Sequence, residues 1–123
     1  MKAKIQDREY HVTDHAILRY SMRINSETTL DNTVIEQGKL VSLANGYDRG
    51  IWNKEIGAVF LIGGKNNITT TITDQKIGLK EETLEKCSCG FHVQPEHQKY
   101  ICRNCENRII ETKPSQKIVN ENS

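Results

Sequence analysis

"IGAVFLIGGKNNITTTIT", residues 56–73, holds two runs rich in apolar and β-branched residues, 56–62 and 67–73, on either side of "GGKNN" (63–67). Short runs of Val, Ile, Phe and Thr fit strands, and a glycine-led polar connection fits the turn of a hairpin. "KLVSLA" (39–44) has the same character, and "GYDRGIWNKE" (46–55) has room for a further strand around Ile51 and Trp52. The whole stretch predicts a meandering antiparallel sheet that ends near Asp74.

Upstream the period changes. Residues 1–12 are polar and mixed, with room for a short leading strand. After Thr13 or Asp14 as a cap, Ala16, Tyr20 and Ile24 recur every four residues, with Ile17 beside them, which predicts a helix to about residue 24. Leu30, Val34 and Ile35 support a second short helix over about 27–37, with Gly38 as its stop. The expected fold class is α+β, with N-terminal helices followed by a small antiparallel sheet, over residues 1–76.

Downstream, "QKIGLKEETLEK" (75–86) reads as a linker with a helical turn at 80–86. It leads to "CSCGF" (87–91) and "CRNC" (102–105), which contain all 4 cysteines of the chain. A length of 123 residues suits one modest domain with a small appendage, and an appendage shorter than about 40 residues usually needs a staple. The opening residues lack the apolar core of a signal peptide, and no run approaches the roughly eighteen apolar residues of a membrane span. The expectation is a cytoplasmic protein without a membrane segment, in a compartment that keeps thiols reduced.

In that setting, closely paired cysteines read as zinc ligands. Cys87, Cys89, Cys102 and Cys105 are the expected metal ligands and Zn the expected cofactor, in a zinc-ribbon-like module at 84–110. Cys102 and Cys105 have the usual spacing. Cys87 and Cys89 are one residue tighter, with Gly90 supplying the turn. Two other readings stay open: His92 or His97 replacing Cys87 or Cys89 as a ligand, and a redox disulfide pair. Four thiolates leave no position for water, so such a metal is structural rather than catalytic. Residues 111–123, with a proline and few apolar side chains, are expected to be disordered.

Any chemistry would therefore sit elsewhere. "VTDHAILRYSMRI" (12–24) places His15, Arg19 and Arg23 four residues apart, along one ridge of the expected helix. Histidine exchanges protons near neutral pH and guanidinium clamps phosphate, which together meet the needs of metal-free phosphodiester cleavage. The same three side chains are also ordinary on a solvated helix. A net charge of +1 argues against a binder that relies on a broad basic surface, while leaving a small basic site open. Trp52 and Tyr47 fit either a stacking platform for a base or packing across a sheet. Gly63, Gly64 and Lys65 lack the remainder of a phosphate-binding loop and read as a turn.

The histidine and two arginines near the start, the short helix ending in glycine, and strands closing on "ITTTIT" (68–73) form a pattern over about residues 12–74. It resembles small phage and mobile-element proteins related to the toxin nucleases of the barnase, colicin and RelE type. The resemblance implies that His15, Arg19, Arg23 and Thr71 match the helix histidine, its two arginines and the threonine of the final strand. It also implies metal-independent ribonuclease activity, often paired with an antitoxin, although some members are binding proteins. Two functions are carried forward. One is a binding or regulatory protein that recognises a protein partner, with nucleic acid kept open. The other is a toxin-like endoribonuclease. Sparse functional groups in the strand region favour the first.

Overall fold

The computed structural model describes residues 1–105 and the backbone of 108–110. The chain begins with a hairpin, not a helix. β1 (Lys2–Ile5) and β2 (Arg8–Val12) pair antiparallel around Gln6 and Asp7, whose φ angles are both positive. Ala3, Ile5, Tyr10 and Val12 are buried while Lys2, Lys4, Glu9 and His11 are exposed. That period-two alternation makes a strand, and a polar average conceals it. This corrects the expected order in which helices come first.

α1 (Asp14–Arg23) starts where the sequence predicts, with Thr13 Oγ1 accepting the Ala16 N–H at 3.2 Å. α2 (Asn32–Glu36) is shorter than expected, because Asp31 caps it by accepting the Val34 N–H at 3.1 Å. The meander then follows as β3 (Lys39–Ser42), β4 (Arg49–Asn53), β5 (Ala58–Ile62) and β6 (Asn67–Thr73), each antiparallel to the next.

The sheet is neither small nor purely antiparallel, which is a second correction. β7 (Glu85–Lys86) and β8 (His92–Val93) join it, giving eight strands in the order β1-β2-β6-β5-β4-β3-β8-β7. β2 runs parallel to β6, and β8 parallel to β3. A four-strand meander would leave the backbone of β3 and β6 unpaired at its edges. The flanking segments cover both. β9 (Tyr100–Cys102) and β10 (Arg108–Ile110) pair as a separate ribbon. Within the helical turn expected at 80–86 lies a 3₁₀ turn, Glu81–Thr83, and a second, Asp74–Ile77, precedes it.

The sheet curls until its two ends meet. Gln6 Nε2, in the β1–β2 turn, donates to Gly90 O at 3.4 Å, in the turn between β7 and β8. One apolar cluster fills the inside, joining Ala3, Tyr10, Ala16, Ile35 and Phe60 to Cys87, Phe91 and Cys102. A second, with Val41, Trp52, Val59, Ile72, Ile77 and Leu79, covers the outer face. Neighbours Leu40 and Val41, Ile51 and Trp52, and Val59 and Phe60 divide between the two clusters. Central strands buried on both faces explain why "AVFLI" is apolar throughout. α1 lies along β6, with Tyr20 and Phe60 stacked at a centroid separation of 6.3 Å.

Residues of the expected 1–76 domain and of the expected 84–110 module thus share one sheet and one core. The expected tail, 111–123, lies outside the described residues. Among the described residues, no helix is long and apolar enough to cross a membrane.

Candidate metal centre

The first cysteine turn is closed by its own backbone. The Cys87 N–H donates to Phe91 O at 2.8 Å, and the Gly90 N–H donates to Cys87 O at 3.0 Å. Gly90 takes φ +102°, a conformation open to glycine, and this lets so tight a turn carry two cysteines. Phe91 is fully buried and anchors the turn in the core. The second turn is held from β3. Ser42, fully buried, accepts the Arg103 N–H at 2.7 Å and donates to Ile101 O at 3.3 Å. Gln94 adds a buried clamp, accepting from the Ala44 N–H at 2.9 Å and donating to Ile77 O at 2.8 Å.

These restraints bring Cys87, Cys89, Cys102 and Cys105 together, with their sulfur atoms all within 4.8 Å of one another. The close pairs cross between the turns: Cys87 to Cys105 at 3.6 Å and Cys89 to Cys102 at 3.7 Å. All four are free thiols; Cys87 and Cys102 are buried, Cys89 and Cys105 half-buried. The arrangement is compatible with metal coordination.

The sulfurs differ in acidity. Burial pushes the Cys89 thiol up, but hydrogen bonds from the Phe91 N–H, the Asn104 side chain and the neighbouring thiols outweigh it and bring the pKa to about 6. Cys102 is pushed up to about 12 by burial, against hydrogen bonds from the Cys105 and Asn104 N–H groups. Cys105 is raised chiefly by its hydrogen bond with Cys89. The Cys89 thiolate is thus favoured by donors around it, while burial opposes ionisation of Cys102, and a cation among the sulfurs would offset that penalty.

The histidines offered as alternative ligands are not in the sulfur cluster. His97 is exposed in the turn before β9, with φ +54°. His92 lies on β8, where its Nδ1 is buried without a hydrogen-bond partner and burial lowers its pKa.

His15, Arg19, Arg23 and Thr71 do not converge on one point. His15 is exposed, and its Nε2 accepts from Arg19 Nε at 3.3 Å. Arg23 Nη1 donates to Thr71 O at 3.0 Å, and the buried Thr71 hydroxyl donates to Ala16 O at 2.9 Å. Arg23 and Thr71 therefore tie α1 to β6. Trp52 is buried and donates from Nε1 to Asp74 Oδ2 at 3.0 Å, with Tyr47 packed on the same outer cluster. Packing, not an exposed stacking platform, is what the fold gives this pair.

Sequence reasoning missed Ser42 and Gln94, whose neighbours in sequence offer no cue to a cysteine turn. It also missed Asn104, although an asparagine inside "CRNC" was in plain view. Fold and site define a mixed α+β chain built around a four-cysteine cluster. No family model matches the chain, and neither curated proteins nor solved structures give a significant match.

Proposed function

We propose that this chain is a cytoplasmic binding or regulatory protein in which a structural zinc ion, held by Cys87, Cys89, Cys102 and Cys105, fastens the cysteine turns to the curled sheet. The carrying observation is the sulfur geometry. A tetrahedral ion with metal–sulfur bonds of about 2.3 Å has sulfur–sulfur edges of about 3.8 Å. The two cross pairs, at 3.6 and 3.7 Å, sit close to that value. Four thiolates fill the coordination sphere, so zinc acts here as a cross-link with no position for substrate or water.

A protein partner is favoured over nucleic acid by charge. The formal +1 counts the thiols as neutral; four thiolates and one divalent ion add two negative charges, so the loaded chain is slightly acidic. Polyanion binding draws on the opposite sign.

Metal analysis of protein purified under reducing conditions tests the reading. One zinc per chain, lost together with thermal stability on treatment with a strong chelator, is the expected result. A chain that takes up no metal, or that stays equally stable without it, overturns it. Tight, salt-sensitive binding of labelled single-stranded RNA would replace the protein partner with nucleic acid.

A further inference from the structure

We infer that Arg8 and Arg49 are positioning residues of the metal centre, one guanidinium for each cysteine turn, with Asn104 linking Arg49 to the Cys89 sulfur. The inference rests on the metal reading above.

Four thiolates around a divalent ion carry two net negative charges. Two of these sulfurs, Cys87 and Cys102, lie in the apolar core, away from solvent. Burying such charge is costly unless cations and donors oppose it. Two arginines reach the site from strands that are not neighbours in the sheet, β2 and β4.

Arg8 serves the first turn. Its Nη2 donates to Cys89 O at 3.4 Å, and its guanidinium lies 5.4 Å from the Phe91 ring centre. Its Nη1 is buried without an acceptor of good geometry, and the neighbouring Tyr10 hydroxyl interacts with the same guanidinium. Arg49 serves the second turn. Its Nη1 donates to Asn104 Oδ1 and its Nη2 to Gly63 O, both at 3.3 Å. The exposed carboxylate of Asp48, 4.0 Å from Arg49 Nε, is too distant and too solvated to neutralise it.

With Oδ1 held by Arg49, the Asn104 amide presents its NH₂ to Cys89, whose sulfur bonds the Asn104 side chain. The hydroxyl of the fully buried Tyr10 has no partner of good geometry and feels the charges of both arginines. The two guanidiniums carry as much positive charge as the loaded centre carries negative. Arginine suits the task better than lysine, because its planar fork spans two acceptors and is weakly hydrated.

The test is metal affinity, read by competition with a chromogenic chelator, on Arg8→Met, Arg49→Met, Asn104→Ala and Asn104→Asp, with Arg8→Lys and Arg49→Lys as rescues. Loss of an outer partner of a metal ligand typically weakens binding by about 10–100-fold, the fall expected for both Met variants. The Lys variants should recover part of it, which a purely packing role would not predict. Asn104→Asp should bind more weakly than Asn104→Ala, because a carboxylate then faces the thiolate. If the Met variants fail to fold, the Asn104 pair on its half-exposed turn decides, and equal affinity of Ala and Asp overturns the inference. Wild-type affinity in folded Met variants also overturns it, and leaves the metal reading intact. A wild-type chain that takes up no metal overturns both.

Discussion

Arg8 on β2 donates to the carbonyl oxygen of Cys89 at 3.4 Å, although the sheet order places four strands between β2 and β8, which follows that cysteine turn. The contact closes the curl, so the cysteine turns and the opening hairpin stabilise each other. Removing the proposed zinc is therefore expected to raise hydrogen exchange in the β1–β2 turn as well as in β7 and β8. Exchange that rises only within residues 87–105 would mean the cysteine turns respond alone.

Gly90 joins the same two regions. A side chain there meets the Gln6 amide and must also adopt a strained positive φ. Gly90→Ala should cost roughly 1–3 kcal/mol, measured by urea unfolding of the metal-loaded protein. Adding Gln6→Ala should return the steric share and leave the backbone share. An unchanged midpoint for the single variant contradicts this account.

Thr71 holds α1 to β6 from inside the core through its bond to Ala16 O. Thr71→Val keeps the shape and removes the donor, and the expected loss is about 1–2 kcal/mol. Because the change removes a bond and opens no cavity, the fold should persist, as judged by an unchanged circular dichroism spectrum. A stability equal to wild type would show that the bond contributes nothing net.

His15 stands on the outside of α1, paired only with Arg19 among the described residues. His15→Ala should change stability by no more than about 0.5 kcal/mol, as for other exposed positions. Labelled single-stranded RNA should survive both proteins in buffer without free divalent ions. Cleavage by the wild type and not by the variant would restore the nuclease reading.

Glu81 bridges Lys39 and Lys54, each at 2.8 Å. Hydrogen bonds from Lys39 and then Lys54 lower its pKa from 4.5 to about 2. A depressed carboxylate pKa contributes stability above its unfolded value, and that contribution fades as pH falls from about 4.5 to about 2. Glu81→Gln should lack this component, so the gap between variant and wild type narrows on acidification. The effect should be small, because the carboxylate is exposed to solvent screening. A gap that stays constant over this range argues against the bridge.

The meander, the first helix and its Thr13 cap were legible in the sequence because each rests on a local signal: β-branched runs, spacing by four and a capping hydroxyl. The opening hairpin was masked because its inward residues, Ala3, Ile5, Tyr10 and Val12, alternate with charged and polar ones in a segment that reads as polar overall. The parallel pairing of β8 with β3 could not be read, since a two-residue strand has no period and its partner lies far away in sequence. Cysteine spacing pointed to the four-sulfur cluster directly. Arg8 and Arg49 come from strands distant in the chain, and no spacing rule connects Arg8 to Cys89 or Arg49 to Asn104.

The two parallel pairs, β2 with β6 and β3 with β8, join positions more than 50 residues apart. Closing loops of that size costs chain entropy before any strand contact returns it. The β3–β6 meander faces no such delay, so it has the head start in folding. The opening hairpin and the segment that carries the cysteines both gain their places after the meander, so the two flanks of the sheet wait on its centre.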